Sequence, residues 1–296
     1  MLPRGELVRF CAEDGTVLFG FLVKPKKRTK KVLVHIHGMV DDFYSYPFFS
    51  ELANAALQNG FAFFSVENRG RGVVSLFEKG GKNFMAGTAF ERFENCLYDI
   101  GGTLKALRKL GFNEFILSGH STGCQKATYY LSKRRLDGII GLLLLSPADD
   151  RNCMKKDIGK GTAKAIEISK KMVQSGKGED FVPKSYFESP ISASRFYSIL
   201  KKPGAEGDIF DYTLKKLKAF GKIRTNILVI FGSKDRYLTM SLKKMERKLE
   251  ESSENAESFS FLTIPGATHS FHDKEKQLGK TICKWLIARE RVEGDT

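Results

Sequence analysis

Five residues, Gly119-His120-Ser121-Thr122-Gly123, constrain this chain more than any other stretch. They lie between the apolar run Phe115-Ile116-Leu117 and a helix-compatible segment at residues 124–134. A G-x-S-x-G pattern in that setting predicts a strand, a sharp turn and a helix. So tight a bend leaves little room for Cβ atoms beside the serine, which accounts for both glycines. The helix would start just behind Ser121, with its free N–H groups and positive dipole end facing the place where an oxyanion forms. The chemistry this unit points to is acyl transfer through a serine nucleophile.

The rest of the chain supplies the sheet such a turn needs. Residues 7–10 and 17–23 predict two strands joined at Glu13-Asp14-Gly15, a hairpin turn signal. Further apolar strands are predicted at 31–36, 61–66, 115–117, 139–145, 227–231 and 259–264. Helical spacing recurs at 48–58, which Asn59-Gly60 stops, at 90–110 and at 274–288. Strands alternating with helices predict an α/β class, with a mostly parallel central sheet flanked by helices. Residues 151–225 break the rhythm with lysine-rich amphipathic stretches, breaks such as Lys202-Pro203-Gly204 and no convincing strand. A structureless loop of that length is improbable in a compact domain. The expected organisation is therefore a core formed by 1–150 and 226–296, with 151–225 as an inserted helical cap.

A nucleophilic serine needs a base, and the base needs an acid that fixes its tautomer. Gly232-Ser233-Lys234-Asp235 follows one predicted strand directly and Ile264-Pro265-Gly266-Ala267-Thr268-His269 follows another. Both Asp235 and His269 thus fall at carboxyl ends of strands, where open α/β sheets bind ligands. We read His269 as the general base and Asp235 as its orienting acid. His272 is a competing base, and Asp149 or Asp150 a competing carboxylate. The oxyanion donors expected for this arrangement are the backbone N–H of Thr122 and that of Met39, in the loop after the first parallel strand. His37 is expected to buttress that loop, and His120 to pack within the turn. The turn Glu67-Asn68-Arg69-Gly70-Arg71-Gly72 reads as loop architecture, since it lacks a phosphate-loop pattern.

Charge and cysteine usage narrow the remaining classes. The 296 residues carry a formal net charge of +15, much of it in clusters such as the one at 24–31. A basic surface attracts polyanions and acidic small molecules, yet no nucleic-acid-binding motif accompanies it. The expected partner is a small ester or related acyl substrate, with an anionic one attracted by the basic rim, and not a nucleic acid. Five cysteines, an odd number at wide spacings with no C-x-x-C, predict neither a disulfide framework nor a zinc site. With no dinucleotide fingerprint or metal-ligand spacing, no cofactor and no metal are expected. The first residues lack the apolar core of a signal peptide, and the longest apolar run, 139–145, is too short to cross a bilayer. A cytoplasmic protein without membrane insertion is the expectation.

Together these features resemble the α/β-hydrolase superfamily. The matching residues are Asp14-Gly15, His37-Gly38, Asn68-Arg69-Gly70-Arg71-Gly72, Gly119-His120-Ser121-Thr122-Gly123, Gly232-Ser233-Lys234-Asp235 and Gly266-Ala267-Thr268-His269, spread over nearly the whole chain. A narrower resemblance is to the branch that includes fungal siderophore esterases. It rests on the threonine-bearing turn with Gln125 after it, and on Ser189-Pro190-Ile191-Ser192-Ala193-Ser194-Arg195-Phe196 followed by Pro203-Gly204. The basic cap and Cys124 depart from that branch, so its substrate does not carry over. What the superfamily resemblance implies is a serine hydrolase acting on a carboxylic ester. Amide, thioester or peptide cleavage, or acyl transfer to an alcohol, would use the same residues. A catalytically silent binding protein on this fold is the reading from another class.

Overall fold

The computed structural model describes residues 3–134 and 137–294. Its central sheet has eight strands in the order β1-β2-β4-β3-β7-β8-β9-β10. β1 (Glu6–Cys11), β2 (Val17–Val23) and β4 (Ala62–Val66) pair antiparallel, and all other neighbours pair parallel. The parallel set is β3 (Lys31–Ile36), β4, β7 (Glu114–His120), β8 (Ile139–Leu145), β9 (Asn226–Gly232) and β10 (Ser258–Ile264). β5 (Ser75–Lys79) and β6 (Lys82–Ala86) form a separate two-stranded hairpin.

The continuous apolar runs are explained by burial on both faces of the sheet. Successive strand residues point to opposite sides. Val32 and Val34 of β3, Phe115 and Leu117 of β7, and Leu142 and Leu144 of β8 pack into one core. There they meet α2 (Cys96–Lys109) through Ile100, Leu104 and Leu107, and α3 (Thr122–Lys133) through Ala127 and Leu131. Leu33, Ile116, Leu143 and Ile230 take the opposite face. That face is covered by α1 (Phe49–Gln58) and α8 (Glu275–Gly294), through Leu52, Ala56, Leu278 and Ile282. Each such side chain is worth about 1.5–3 kcal/mol when fully buried, so the sheet-and-helix layers hold the strand ends at fixed positions.

Two differences from the sequence expectations have local causes. The helix expected from residue 90 starts only at Cys96, after a 3-10 turn at Phe93–Asn95. Residues 88 and 89 instead donate their N–H groups to Gly72 and Val73 carbonyls. Glu91 is drawn into a buried ion cluster with Lys126 of α3. The β5–β6 hairpin, not anticipated, turns at Gly80-Gly81 with φ of 58° and 74°. Two consecutive positive φ angles match the twist of a two-residue hairpin loop, and Gly-Gly supplies them without a Cβ penalty.

Between β8 and β9 the described elements are helical: α4 (Asp150–Ile158), α5 (Thr162–Gln174), α6 (Ala193–Leu200) and two 3-10 turns. They share a small core of their own, including Met154, Ala165, Phe196 and Ile199. The fully buried Arg195 of α6 binds Glu206 and lies 3.6 Å from Glu91. Lys126 joins Glu91 and donates to Asn68 Oδ1 at 2.6 Å. A continuous line of buried charge therefore ties this segment to α3, the helix that follows Ser121. α7 (Leu242–Ser252) completes the fold between β9 and β10.

Candidate active site

Ser121 sits between β7 and α3 with φ 52° and ψ −127°. A non-glycine residue in that region costs roughly 1–3 kcal/mol and needs its surroundings to hold it there. Three close approaches do so. A Cβ on Gly119 would run into the Gly123 carbonyl, and one on Gly123 into the Ile36 carbonyl. A Cβ on Gly38 would lie 2.9 Å from Ser121 Cβ and 3.0 Å from the His120 carbonyl. Glycine at all three positions lets the turn press against the loop that leaves β3.

Asp235 and His269 leave the adjacent parallel strands β9 and β10, whose register places Gly232 opposite Ile264. The two loops are stapled together. Lys234 N–H donates to Ala267 O at 2.8 Å, and Gly266 N–H to Ser233 Oγ at 2.8 Å. His269 Nδ1–H then donates to Asp235 Oδ2 at 2.7 Å. The Asp235 side chain is 1% exposed and that of His269 11%, so the pair is nearly desolvated. Asp235 Oδ1 accepts the Tyr237 N–H at 2.8 Å, which fixes the carboxylate plane. Donation from Nδ1 leaves Nε2 as the free, basic nitrogen of His269.

The His269 backbone and ring are held as firmly. Its carbonyl accepts from His120 Nε2–H at 3.0 Å and from Ser146 Oγ–H at 3.1 Å. Its ring lies between Tyr237, edge-on with centroids 4.6 Å apart, and His120, 4.9 Å away. Burial and the neighbouring His269 push the His120 pKa down to about 3. His120 is therefore a neutral donor at ordinary pH, and its place is behind the turn rather than in proton transfer. His37 is also kept neutral, with burial bringing it to about 4. Its Nδ1–H donates to Gly38 O at 2.9 Å and its Nε2 accepts the Asn68 N–H at 3.3 Å. It links the Gly38-Met39 loop to the 67–72 turn. That turn is organised by Arg69, which binds both Asp14 and Asp99.

Met39 and Thr122 flank Ser121 on the same cleft. Neither backbone N–H donates to a described residue. Thr122 is fully buried and Met39 half-buried; unpaired N–H groups are uncommon in a folded chain, and two of them beside one serine can receive an oxyanion. Ser121 Oγ likewise has no partner among the described residues. Ser121 and His269 line one cleft of about 1100 Å³. The serine–base bond often tightens only when substrate is present. His272 lines the same cleft, but the carboxylate is bonded to His269. Asp149 is committed elsewhere, capping α4 by accepting from Asn152 N–H at 3.0 Å. Sequence reasoning missed the Tyr237 ring and Ser146, and only the Tyr237 position, two residues after Asp235, offered a signal.

Cys124 is a packed thiol. It is fully buried and its Sγ donates to the Gly119 and Leu145 carbonyls, so burial pushes its pKa well up. Among the described residues no His, Cys, Asp and Glu cluster has the makings of a metal site, and no helix is long and apolar enough to cross a membrane.

A mostly parallel central sheet flanked by helices, with Ser121 in a sharp turn between a strand and a helix, has the α/β-hydrolase fold. The solved structures agree on the fold. An alpha/beta hydrolase fold protein of unknown function superposes with a TM-score of 0.71 at 18% identity, covering 100% of this chain and 99% of that one. The siderophore hydrolase EstB from Aspergillus fumigatus superposes with a TM-score of 0.68 at 17% identity, covering 97% and 98%. The chain belongs to the family described as "Protein of unknown function (DUF1749)", whose model matches residues 5–289. UPF0613 protein PB24D3.06c of Schizosaccharomyces pombe is 26% identical over 286 residues, 88% of this chain and 85% of that protein.

Proposed function

We propose that the protein is a serine hydrolase that cleaves a carboxylic ester. The observation that carries this reading is the desolvated Asp235–His269 pair on the same cleft as a strained Ser121 with two free N–H groups beside it. Ser121 Oγ attacks the ester carbonyl while His269 Nε2 takes its proton. Asp235 holds the tautomer and stabilises the imidazolium. The Met39 and Thr122 N–H groups receive the charge that develops on the carbonyl oxygen, each worth about 10²–10³ in rate. His269 gives its proton to the leaving alcohol, and the acyl group remains on Ser121. Water, deprotonated by His269, then releases the acid and restores the serine.

The segment 151–225 acts as a cap in this reading, because Met154, Asp157, Phe187 and Ile191 line the same cleft as Ser121 and His269. Lys234 and Arg236 lie on the His269 side of the same cleft and favour an acidic group on the substrate. All five cysteines are free, which supports a reducing, cytoplasmic setting. The test is hydrolysis of short p-nitrophenyl esters by wild type and by Ser121→Ala. Loss of turnover in the variant supports the reading, and equal rates remove Ser121 as nucleophile.

A further inference from the structure

The turn carries two polar side chains that the proposed acyl transfer does not use. Thr122 contributes only its backbone N–H to it, and Gln125 lies one helical turn further along α3. Both side chains converge on one atom. Thr122 Oγ1–H donates to Asp150 Oδ2 at 3.0 Å, and Gln125 Nε2–H donates to the same oxygen at 2.6 Å. Gln125 Nε2 also donates to Ala148 O at 2.8 Å, so two acceptors fix which end of the amide faces Asp150. Asp150 opens α4 and lines the cleft together with Ser121 and Thr122. Its Oδ1 receives no hydrogen bond from a described residue. Helix capping does not account for it, because Asp149 already caps α4.

A carboxyl gripped by one oxygen, with the other free on a cleft, is a presented group. Burial, and then the negative charge of Glu206, push this carboxyl well above the ordinary carboxylate range. Glu206 is itself held by Arg195. A neutral acid whose Oδ2 accepts two hydrogen bonds carries its proton on Oδ1, where it is a donor. A site with an unpaired polar group rejects substrates that cannot pair with it, because that group then stays desolvated and unsatisfied.

We propose that Asp150 is a substrate-recognition residue whose free Oδ1 donates a hydrogen bond to an oxygen acceptor on the acyl substrate, such as a ketone, ether or second ester carbonyl near the scissile bond. This rests on the ester-hydrolase reading. It assigns a reason to Thr122 and Gln125, which orient the carboxyl from the helix that also positions the nucleophile.

The test uses matched p-nitrophenyl esters that differ by one oxygen: methoxyacetate against butanoate, and 4-oxopentanoate against 4-methylpentanoate. kcat/KM is measured for the full chain as wild type, Asp150→Asn and Asp150→Leu, each corrected for the ester's rate with hydroxide. Wild type prefers the oxygen-bearing member of at least one pair by about tenfold. Asp150→Asn keeps that preference, because its amide N–H replaces the acid O–H while its oxygen accepts from Thr122 and Gln125. Asp150→Leu loses it. A merely structural pin would lower both members of a pair equally and leave their ratio unchanged, which overturns the proposal. So does a wild type without preference in either pair. Should Asp150→Leu not fold, trifluoromethyl ketones with and without the same oxygen decide on wild type alone, and equal inhibition overturns the proposal. Hydrolysis of all four esters without preference removes only the role of Asp150. Failure to hydrolyse any of them removes the ester-hydrolase reading, and the proposal with it.

Discussion

Asp235→Asn changes one atom and reverses one hydrogen bond. Asp235 Oδ1 accepts the Tyr237 N–H at 2.8 Å, while Oδ2 faces His269 Nδ1 at 2.7 Å. An asparagine there keeps its oxygen on the Tyr237 N–H and turns its NH₂ toward His269. Nδ1 must then accept, so the ring proton moves to Nε2, the nitrogen that should take the serine proton. The imidazolium formed in the transition state also loses its counter-charge. With charge centres about 4 Å apart and an effective dielectric near 20, that interaction is about 4 kcal/mol. At 1.36 kcal/mol per power of ten, kcat falls roughly 10³-fold, and the wrong tautomer adds to it. KM stays within about threefold, since Asp235 does not touch the substrate. Initial rates on p-nitrophenyl butanoate, with a thermal melt to show that the variant is folded, measure this. A folded Asp235→Asn protein with kcat within tenfold of wild type would refute the role given to Asp235.

Three other outcomes rest on particular contacts. Lys126→Met leaves Glu91 buried with only Arg195 at 3.6 Å; the loss should be roughly 3–5 kcal/mol, a fall in Tm of about 10 °C, and adding Glu91→Leu should recover part of it in a double-mutant cycle. Gly38→Ala forces a Cβ to 2.9 Å from Ser121 Cβ, so kcat should drop about 10²-fold through a displaced nucleophile, with the melting temperature little changed. Burial alone would raise the Asp211 carboxyl, but bonds from Thr213 and Lys202, the Lys202 charge and Arg151 hold it down from 3.8 to about 2. Its stabilisation is present above pH 4 and is lost as pH falls toward 2, so Asp211→Asn should lower stability near neutrality and flatten the melting-temperature profile between those values.

The fold was legible because its strands are unusually plain. β3, β7, β8 and β9 are buried on both faces, so each reads as an unbroken apolar run bounded by polar or glycine residues. The positions of Ser121 and Asp235 at strand ends could be read for the same reason, whereas His269 follows β10, a half-exposed edge strand of alternating sequence legible by its period. Elements whose register depends on partners far away in sequence were not legible. Residues 90–95 fall within the helical spacing read at 90–110, yet Glu91 is taken by Lys126 and Arg195, which lie 35 and 104 positions on. Asp150 reads as a competing carboxylate until the fold brings Thr122 and Gln125 onto its Oδ2. Buried polar clusters of this kind are specified by tertiary placement, and no local period announces them.

The central claim is that Ser121 is the nucleophile, and covalent capture tests it most directly. An alkyl fluorophosphonate added to the wild-type protein should form a one-to-one adduct. Peptide mapping should place it on Ser121, and neither Ser121→Ala nor a folded Asp235→Asn protein should react at a comparable rate. An adduct on another residue, or an unlabelled protein that still hydrolyses esters, would contradict the account.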